Sequence, residues 1–126
     1  MWKYYNPNPT GQRVGDCAVR AIARATDQGW DDAYSAITLE GYVFGDMPSS
    51  NAVWGAYLKR LGFERVAVPN TCPECYSVAE FAKDHPKGTY VVALSGHVVT
   101  VVDGDWYDSW DSGSEIPLYY WTRKDS

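Results

Sequence analysis

The stretch GHVVTVVDGDWYD, residues 96–108, contains the pattern that decides the fold. The residues on both sides of Asp103-Gly104 are mostly β-branched or aromatic, which favours strands. An Asp-Gly pair between two such runs is among the strongest short hairpin signals, because both residues tolerate the positive φ angles of a tight turn. We therefore expect a β-hairpin with Asp103 and Gly104 as its central residues.

Other strand-like segments surround this hairpin. TYVVAL (89–94) comes directly before it, PLYYWTR (117–123) comes after it, and FERVAVP (63–69) lies further upstream. Each is rich in β-branched or aromatic residues and is bounded by glycine, proline or aspartate. Together with the hairpin they predict an antiparallel sheet in the second half of the chain.

The first half favours helices instead. We expect helices over 17–25, which is rich in alanine, from Trp30 through residue 39, and from Asn51 to a stop at Gly62. Ser77 and Glu80 form a capping-box pattern that opens a short fourth helix. Helices followed by a sheet predict an α+β fold rather than an alternating α/β fold.

The composition limits the class of protein. A chain of 126 residues that is 45% hydrophobic fits one domain over 1–126 with a packed core. A formal net charge of −5 argues against nucleic-acid binding, which needs a basic face. There is no apolar stretch long enough for a membrane span, and no apolar run near residue 1 that is typical of a signal peptide. We therefore expect a cytoplasmic protein without nucleic-acid or membrane partners.

The hairpin register brings a histidine near an aspartate. If Asp103 and Gly104 form the turn, Val101 lies opposite Trp106, and His97 shares a sheet face with Asp108. These two side chains are diagonal neighbours, so the carboxylate can reach the imidazole and orient it. A single histidine at the start of a strand is also often a core residue whose hydrogen bonds are satisfied.

GDCAVRAIARA, residues 15–25, places Cys17 where a helix should begin, after Asp16 as the expected N-cap. The amino end of a helix lowers the pKa of a thiol, so Cys17 is a candidate nucleophile, and the alternative is a small buried residue. A nucleophilic thiol needs a base. Of the two histidines, His85 lies in a polar turn and is expected to be exposed, which leaves His97.

Three short segments resemble the papain-like cysteine peptidases: Asp16-Cys17 opening a helix, SGHVV (95–99) opening a strand, and Tyr107-Asp108. Within that clan the likeness is to small bacteriocin-leader peptidase domains. The segments GDCAVRAIA (15–23), GHVVTVVDG (96–104) and YDSWD (107–111) are also similar to small uncharacterised proteins of phages and gut bacteria. The resemblance implies a papain-like fold, with N-terminal helices packed on a C-terminal antiparallel sheet, in a bacterial or phage-encoded protein.

The resemblance also implies a function. Cys17 would attack a carbonyl, His97 would move the proton and Asp108 would orient the ring, without any cofactor. The expected activity is that of a peptidase, isopeptidase, amidase or acyl transferase that forms a thioacyl intermediate. The expected partner is a peptide or protein substrate.

The sequence departs from this family at one position. Papain-like enzymes usually carry a glutamine about six residues before the cysteine that helps form the oxyanion hole, whereas residue 11 here is Gly11. Gln12 and Asn8 are the nearest candidate donors, and Gln12 could equally be an exposed loop residue. If no donor reaches the site, the alternative is a catalytically degenerate fold that acts as a binding or inhibitor protein.

TCPEC, residues 71–75, has the spacing of half a zinc site or a redox pair. Structural zinc requires four ligands, and no second CxxC motif is present to complete the set around Cys72 and Cys75. Nearby prolines favour a plain surface loop. We therefore expect no metal, and a zinc-stapled interaction module is the third class of function to be tested.

Overall fold

The structure is a computed structural model that describes residues 1–11, 14–69 and 76–123. Over these residues the protein has an α+β fold with four helices and one six-stranded sheet. No helix in this part of the chain is long and apolar enough to cross a membrane. The elements in chain order are β1 (Trp2–Tyr4), α1 (Cys17–Ala25), α2 (Trp30–Phe44), α3 (Asn51–Arg60), β2 (Glu64–Ala67), α4 (Val78–Asp84), β3 (Thr89–Leu94), β4 (His97–Val102), β5 (Asp105–Asp108) and β6 (Tyr119–Thr122).

The sheet has the order β1-β5-β4-β3-β6-β2 and is mixed rather than fully antiparallel. β1 pairs in parallel with β5, with Trp2 opposite Trp106, whereas the other neighbouring strands are antiparallel. The expectation of a purely antiparallel, C-terminal sheet was therefore wrong. β1 and β5 are about a hundred residues apart in the sequence, so no tight turn fixes their relative direction, and β1 instead covers an edge that would otherwise be open.

The central hairpin has the predicted register. Val101 pairs with Trp106 across the turn, whose residues Asp103 and Gly104 have φ angles of 49° and 84°. A second two-residue turn, Ser95-Gly96, joins β3 to β4. This turn makes His97 the first residue of β4, at the same end of the sheet as the last residue of β5.

α2 is longer than the sequence predicted. Instead of ending near residue 39, it continues through Gly41 to Phe44 and ends at Gly45, which has a left-handed φ of 74°. The chain after the helix returns over Gly41, and a Cβ atom there would lie 2.7 Å from the carbonyl oxygen of Asp46. Gly41 therefore permits a close approach of the backbone and does not mark the end of the helix.

The core lies on both faces of the sheet. One cluster joins α1, α2 and α3 to the sheet and includes Ile22, Trp54 and Val98. The other lies under α4 and includes Phe81 and Val99. Alternate residues of β4 thus face opposite layers, as the side-chain period of a strand requires. Packing of α1 across β4 fixes the amino end of α1 over the start of that strand.

Candidate active site

Cys17 is the first residue of α1 and is half-buried. Asp16 occupies the N-cap position as expected, but its side chain does not cap the helix. Its carboxylate instead accepts hydrogen bonds from Nη1 of Arg20 at 2.6 Å and from Nε1 of Trp30 at 2.9 Å. Asp16 is therefore held away from the first turn of α1, whose N–H groups stay without a side-chain cap next to the thiol.

The structure brings Cys17, His97 and Asp108 together. Nε2 of His97 donates to Oδ2 of Asp108 at 2.6 Å. Cys17 lies beside this imidazole: the two residues line the same cavities, and each shifts the pKa of the other. One imidazole thus joins the thiol to a carboxylate, which is the arrangement that activates a nucleophile through an oriented base.

The Asp108 carboxylate is fully buried and accepts hydrogen bonds from four donors. Oδ2 accepts from His97 and from the Ser112 hydroxyl at 2.7 Å, and Oδ1 accepts from the Ser109 N–H at 2.8 Å and from Nη2 of Arg20 at 3.1 Å. Burial raises the pKa of Asp108, but the hydrogen bonds from His97 and Ser112 and the positive charges nearby lower it below its ordinary value. Asp108 is therefore a fixed negative charge behind His97.

The pKa values of the thiol and the imidazole favour an ion pair. Burial raises the pKa of Cys17, yet the hydrogen bond and charge of His97, the Val98 N–H and the charge of Arg20 lower it overall. Burial lowers the pKa of His97, but its hydrogen bonds to Asp108 and Cys17, and their charges, raise it to about 9. A thiolate facing an imidazolium is the reactive form of a catalytic cysteine.

Arg20 belongs to the candidate site but was not predicted from the sequence. It is 6% exposed and pairs with both Asp16 and Asp108, so one guanidinium bridges the two carboxylates behind the site. The spacing of Asp16 and Arg20 could have indicated the first pair, because residues four apart lie on one helix face. The second pair spans 88 residues and carries no local signal.

Trp110 lies against the catalytic histidine candidate. Its ring centroid is 4.9 Å from that of His97, at an interplanar angle of 38°. The indole covers part of the imidazole and limits the access of water to its hydrogen bond with Asp108.

His85 differs from the expectation of an exposed surface histidine. It is half-buried and stacks on Phe81 with a centroid distance of 3.9 Å, and Nδ1 lies 2.8 Å from the Phe81 carbonyl oxygen. Tyr90 and Tyr120 complete an aromatic cluster around it. The polar sequence around His85 hid this role, because its ring partners come from α4, β3 and β6.

The structure describes only one of the two candidate oxyanion donors. Gln12 lies outside the described residues. Asn8 lines a cavity beside Cys17, but its side-chain oxygen accepts hydrogen bonds from the Thr10 backbone N–H at 2.9 Å and hydroxyl at 2.8 Å. The amide group of Asn8 keeps its donor capacity, and the uncapped N–H groups at the start of α1 supply further donors beside the thiol.

Two cavities meet at the thiol. The larger has a volume of about 980 Å³ and the smaller about 310 Å³, and Cys17, Gly96 and His97 line both. The larger cavity extends from the thiol toward α2 and the α2–α3 loop. The smaller extends toward Ser109 and Trp110. There is therefore open space on both sides of Cys17.

No metal site was found in the described part of the chain, where no three His, Cys, Asp or Glu side chains are grouped to hold an ion. The CxxC motif with Cys72 and Cys75 lies outside the described residues. The zinc-stapled alternative is therefore tested by metal analysis of the purified protein rather than by the geometry.

No protein-family model, curated protein or solved structure matches the chain. The likeness to papain-like peptidases thus stays an expectation drawn from three short segments of sequence. Any function assigned to the protein has to rest on the geometry around Cys17.

Proposed function

We propose that the protein is a thiol-dependent hydrolase or acyl transferase that works through a thioacyl intermediate on Cys17. One observation carries the proposal: the thiol at the start of α1 lines the same cavities as an imidazole, His97, whose Nε2 is held by a buried carboxylate. A cysteine that only fills space in the core does not need a neighbouring imidazole, and a core histidine whose hydrogen bonds are satisfied does not need a neighbouring thiol. The cavities on either side of the thiol give a substrate room to reach it.

In the acylation step, the Cys17 thiolate attacks a carbonyl carbon, and the carbonyl electron pair moves onto the oxygen. Backbone N–H groups at the start of α1 stabilise this oxyanion. As the carbonyl re-forms, the bond to the leaving nitrogen, oxygen or sulfur breaks, and that atom takes the proton from the His97 imidazolium. A thioester on Cys17 and a neutral His97 remain.

In the second step, the roles of His97 reverse. Neutral His97 accepts a proton from water, or from an acceptor amine or alcohol, as that nucleophile attacks the thioester carbon. The C–S bond then breaks and returns the Cys17 thiolate opposite an imidazolium. Asp108 keeps its charge throughout and stabilises the imidazolium in both steps.

The proposal includes a papain-like fold, supported by a thiol-bearing helix packed against the strands that carry the histidine and the aspartate. From the resemblance we extend it to a peptide or protein substrate in a bacterial cytoplasm, acted on by a bacterial or phage-encoded protein. The alternative function is binding or inhibition by a degenerate site. The acylation experiment described next distinguishes this alternative from the proposed activity.

The test is to trap the acyl group. The protein is incubated with a small activated ester, quenched in acid and digested. The mass of the peptide that contains Cys17 is then measured by mass spectrometry. We expect acylation in the wild type and in the control His85→Gln, and none in Cys17→Ala. His97→Ala should acylate at least about a hundred times more slowly, as expected when a general acid–base residue is lost. A wild type that binds peptides but is not acylated would support the degenerate binder.

A further inference from the structure

The larger cavity beside the thiol has an apolar wall. Its volume of about 980 Å³ is at the upper end of the range for sites that enclose small organic ligands. The wall comes from α2, α3, β3 and the loop between α2 and α3. Its large apolar and aromatic side chains are Trp30, Tyr34, Met47, Pro48, Trp54 and Leu94.

Part of this wall is held in place before any ligand binds. Trp30 and Tyr34 stack with a centroid distance of 4.9 Å and an interplanar angle of 9°. The Trp30 indole also donates to Asp16, which is itself paired with Arg20. Tyr34 and Met47 are 45% and 67% exposed, so a ligand that covers them removes apolar surface from water.

The two cavities can be assigned to the two halves of a substrate. The leaving group receives its proton from His97. Because His97 lines both cavities, we assign the leaving group to the cavity that also contains the residue packed on this ring. The smaller cavity holds Ser109 and Trp110, and Trp110 packs on His97. The acyl part of the substrate extends the other way from the Cys17 sulfur, into the larger cavity.

We propose that the larger cavity binds the acyl side of the substrate and selects a peptide with a large apolar or aromatic side chain next to the reacting carbonyl. This inference rests on the proposed function, because it requires an acyl group on Cys17. Tyr34 is then a specificity residue, and Trp30 forms the fixed surface on which the bound side chain packs.

The test uses peptidyl acyloxymethyl ketones, which alkylate a reactive thiol and release a carboxylate. The residue next to the ketone is glycine, alanine, leucine or phenylalanine, and the carboxylate released is acetate or benzoate. Burying a phenylalanine side chain predicts a rate of Cys17 labelling at least about tenfold above that of the glycine reagent. The released group should change the rate much less.

Two variants and a control test whether the larger cavity determines the preference for phenylalanine over glycine. Ser49 is an exposed residue of the cavity wall, so Ser49→Trp should fill the space and bring the phenylalanine-to-glycine ratio close to one. Tyr34→Ala should lower the ratio several-fold. The matched control is Tyr42→Ala on the same helix, since Tyr42 is 83% exposed and does not line the cavity. Its ratio should equal that of the wild type.

Iodoacetamide separates the two ways in which this can fail, since it reports the thiolate without filling the cavity. A fast reaction of Cys17 with iodoacetamide, together with equal rates for the glycine and phenylalanine reagents, overturns the inference and leaves the proposed function standing. A preference that survives in Ser49→Trp, or that follows the released carboxylate, also overturns it. If Cys17 reacts with iodoacetamide only as an ordinary thiol, the proposed function fails.

Discussion

Replacing Asp108 by asparagine should lower the pKa of His97. The carboxylate contributes the largest of the interactions that raise this pKa to about 9 from an ordinary value of 6.5. That difference corresponds to roughly 3 kcal/mol, since one pKa unit is about 1.4 kcal/mol. The asparagine side chain would keep an oxygen near Nε2 but lose the charge, so we expect the pKa of His97 to fall by at least about one unit, a loss of about 1.4 kcal/mol of stabilisation of the imidazolium.

The assay is an NMR titration of the imidazole Cε1–Hε1 signals, which is simple because the chain has only two histidines. His85 does not contact Asp108 in the structure and serves as the internal reference. The matched control is Asp111→Asn, because Asp111 binds Trp106 and Gly113 instead of His97. The reasoning is refuted if His97 titrates near its ordinary value in the wild type, or if its pKa is the same in Asp108→Asn and Asp111→Asn.

Three further changes test the electrostatics and the helix ends. Arg20→Gln leaves two buried carboxylates without their cation and should lower the free energy of unfolding by about 3–5 kcal/mol in chemical denaturation. The control Arg24→Gln removes a cation–π contact with Tyr107 but no ion pair with a buried carboxylate, and should cost about 1 kcal/mol or less. Equal losses in the two variants would contradict the bridging role of Arg20. The pKa of Asp108 is lowered in the folded state, so its contribution to stability is present above the ordinary aspartate pKa and is lost in acid. Between about pH 5 and pH 2 the wild type should therefore lose more stability than Asp108→Asn. Parallel curves of unfolding free energy against pH for the two proteins would contradict this. Ser77→Ala removes the capping box of α4 and should lower the thermal midpoint by the equivalent of about 1 kcal/mol, with no change in Cys17 reactivity.

Local signals in the sequence accounted for much of the fold. The Asp103-Gly104 turn fixed the register of β4 and β5, since a two-residue turn leaves no freedom in pairing. The Ser77–Glu80 capping box marked the start of α4 for the same kind of reason, because its donors and acceptors are three residues apart. These features depend on residues that are close together in the sequence, so they can be recognised from the sequence alone.

The remaining features depend on contacts between distant parts of the chain. The parallel pairing of β1 with β5 and the bridge from Arg20 to Asp108 both join residues that no turn or helix period relates. α2 continues past Gly41 because the returning backbone packs on that glycine, whereas composition alone favours a break there. The candidate site shows the same difference. Cys17, His97 and Asp108 were predicted from local sequence patterns, whereas the charge of Arg20 that supports them was not.

The reactivity of Cys17 as a function of pH tests the central claim most directly. Alkylation by iodoacetamide is followed by mass spectrometry from about pH 4 to pH 9 in the wild type, His97→Ala and the control His85→Ala. With a lowered thiol pKa, Cys17 should reach half its maximal rate below the ordinary value of about 8.5, and only His97→Ala should move that midpoint up toward it. A wild-type midpoint at the ordinary value, or one that His97→Ala leaves unchanged, would contradict a thiolate–imidazolium pair and with it the proposed chemistry.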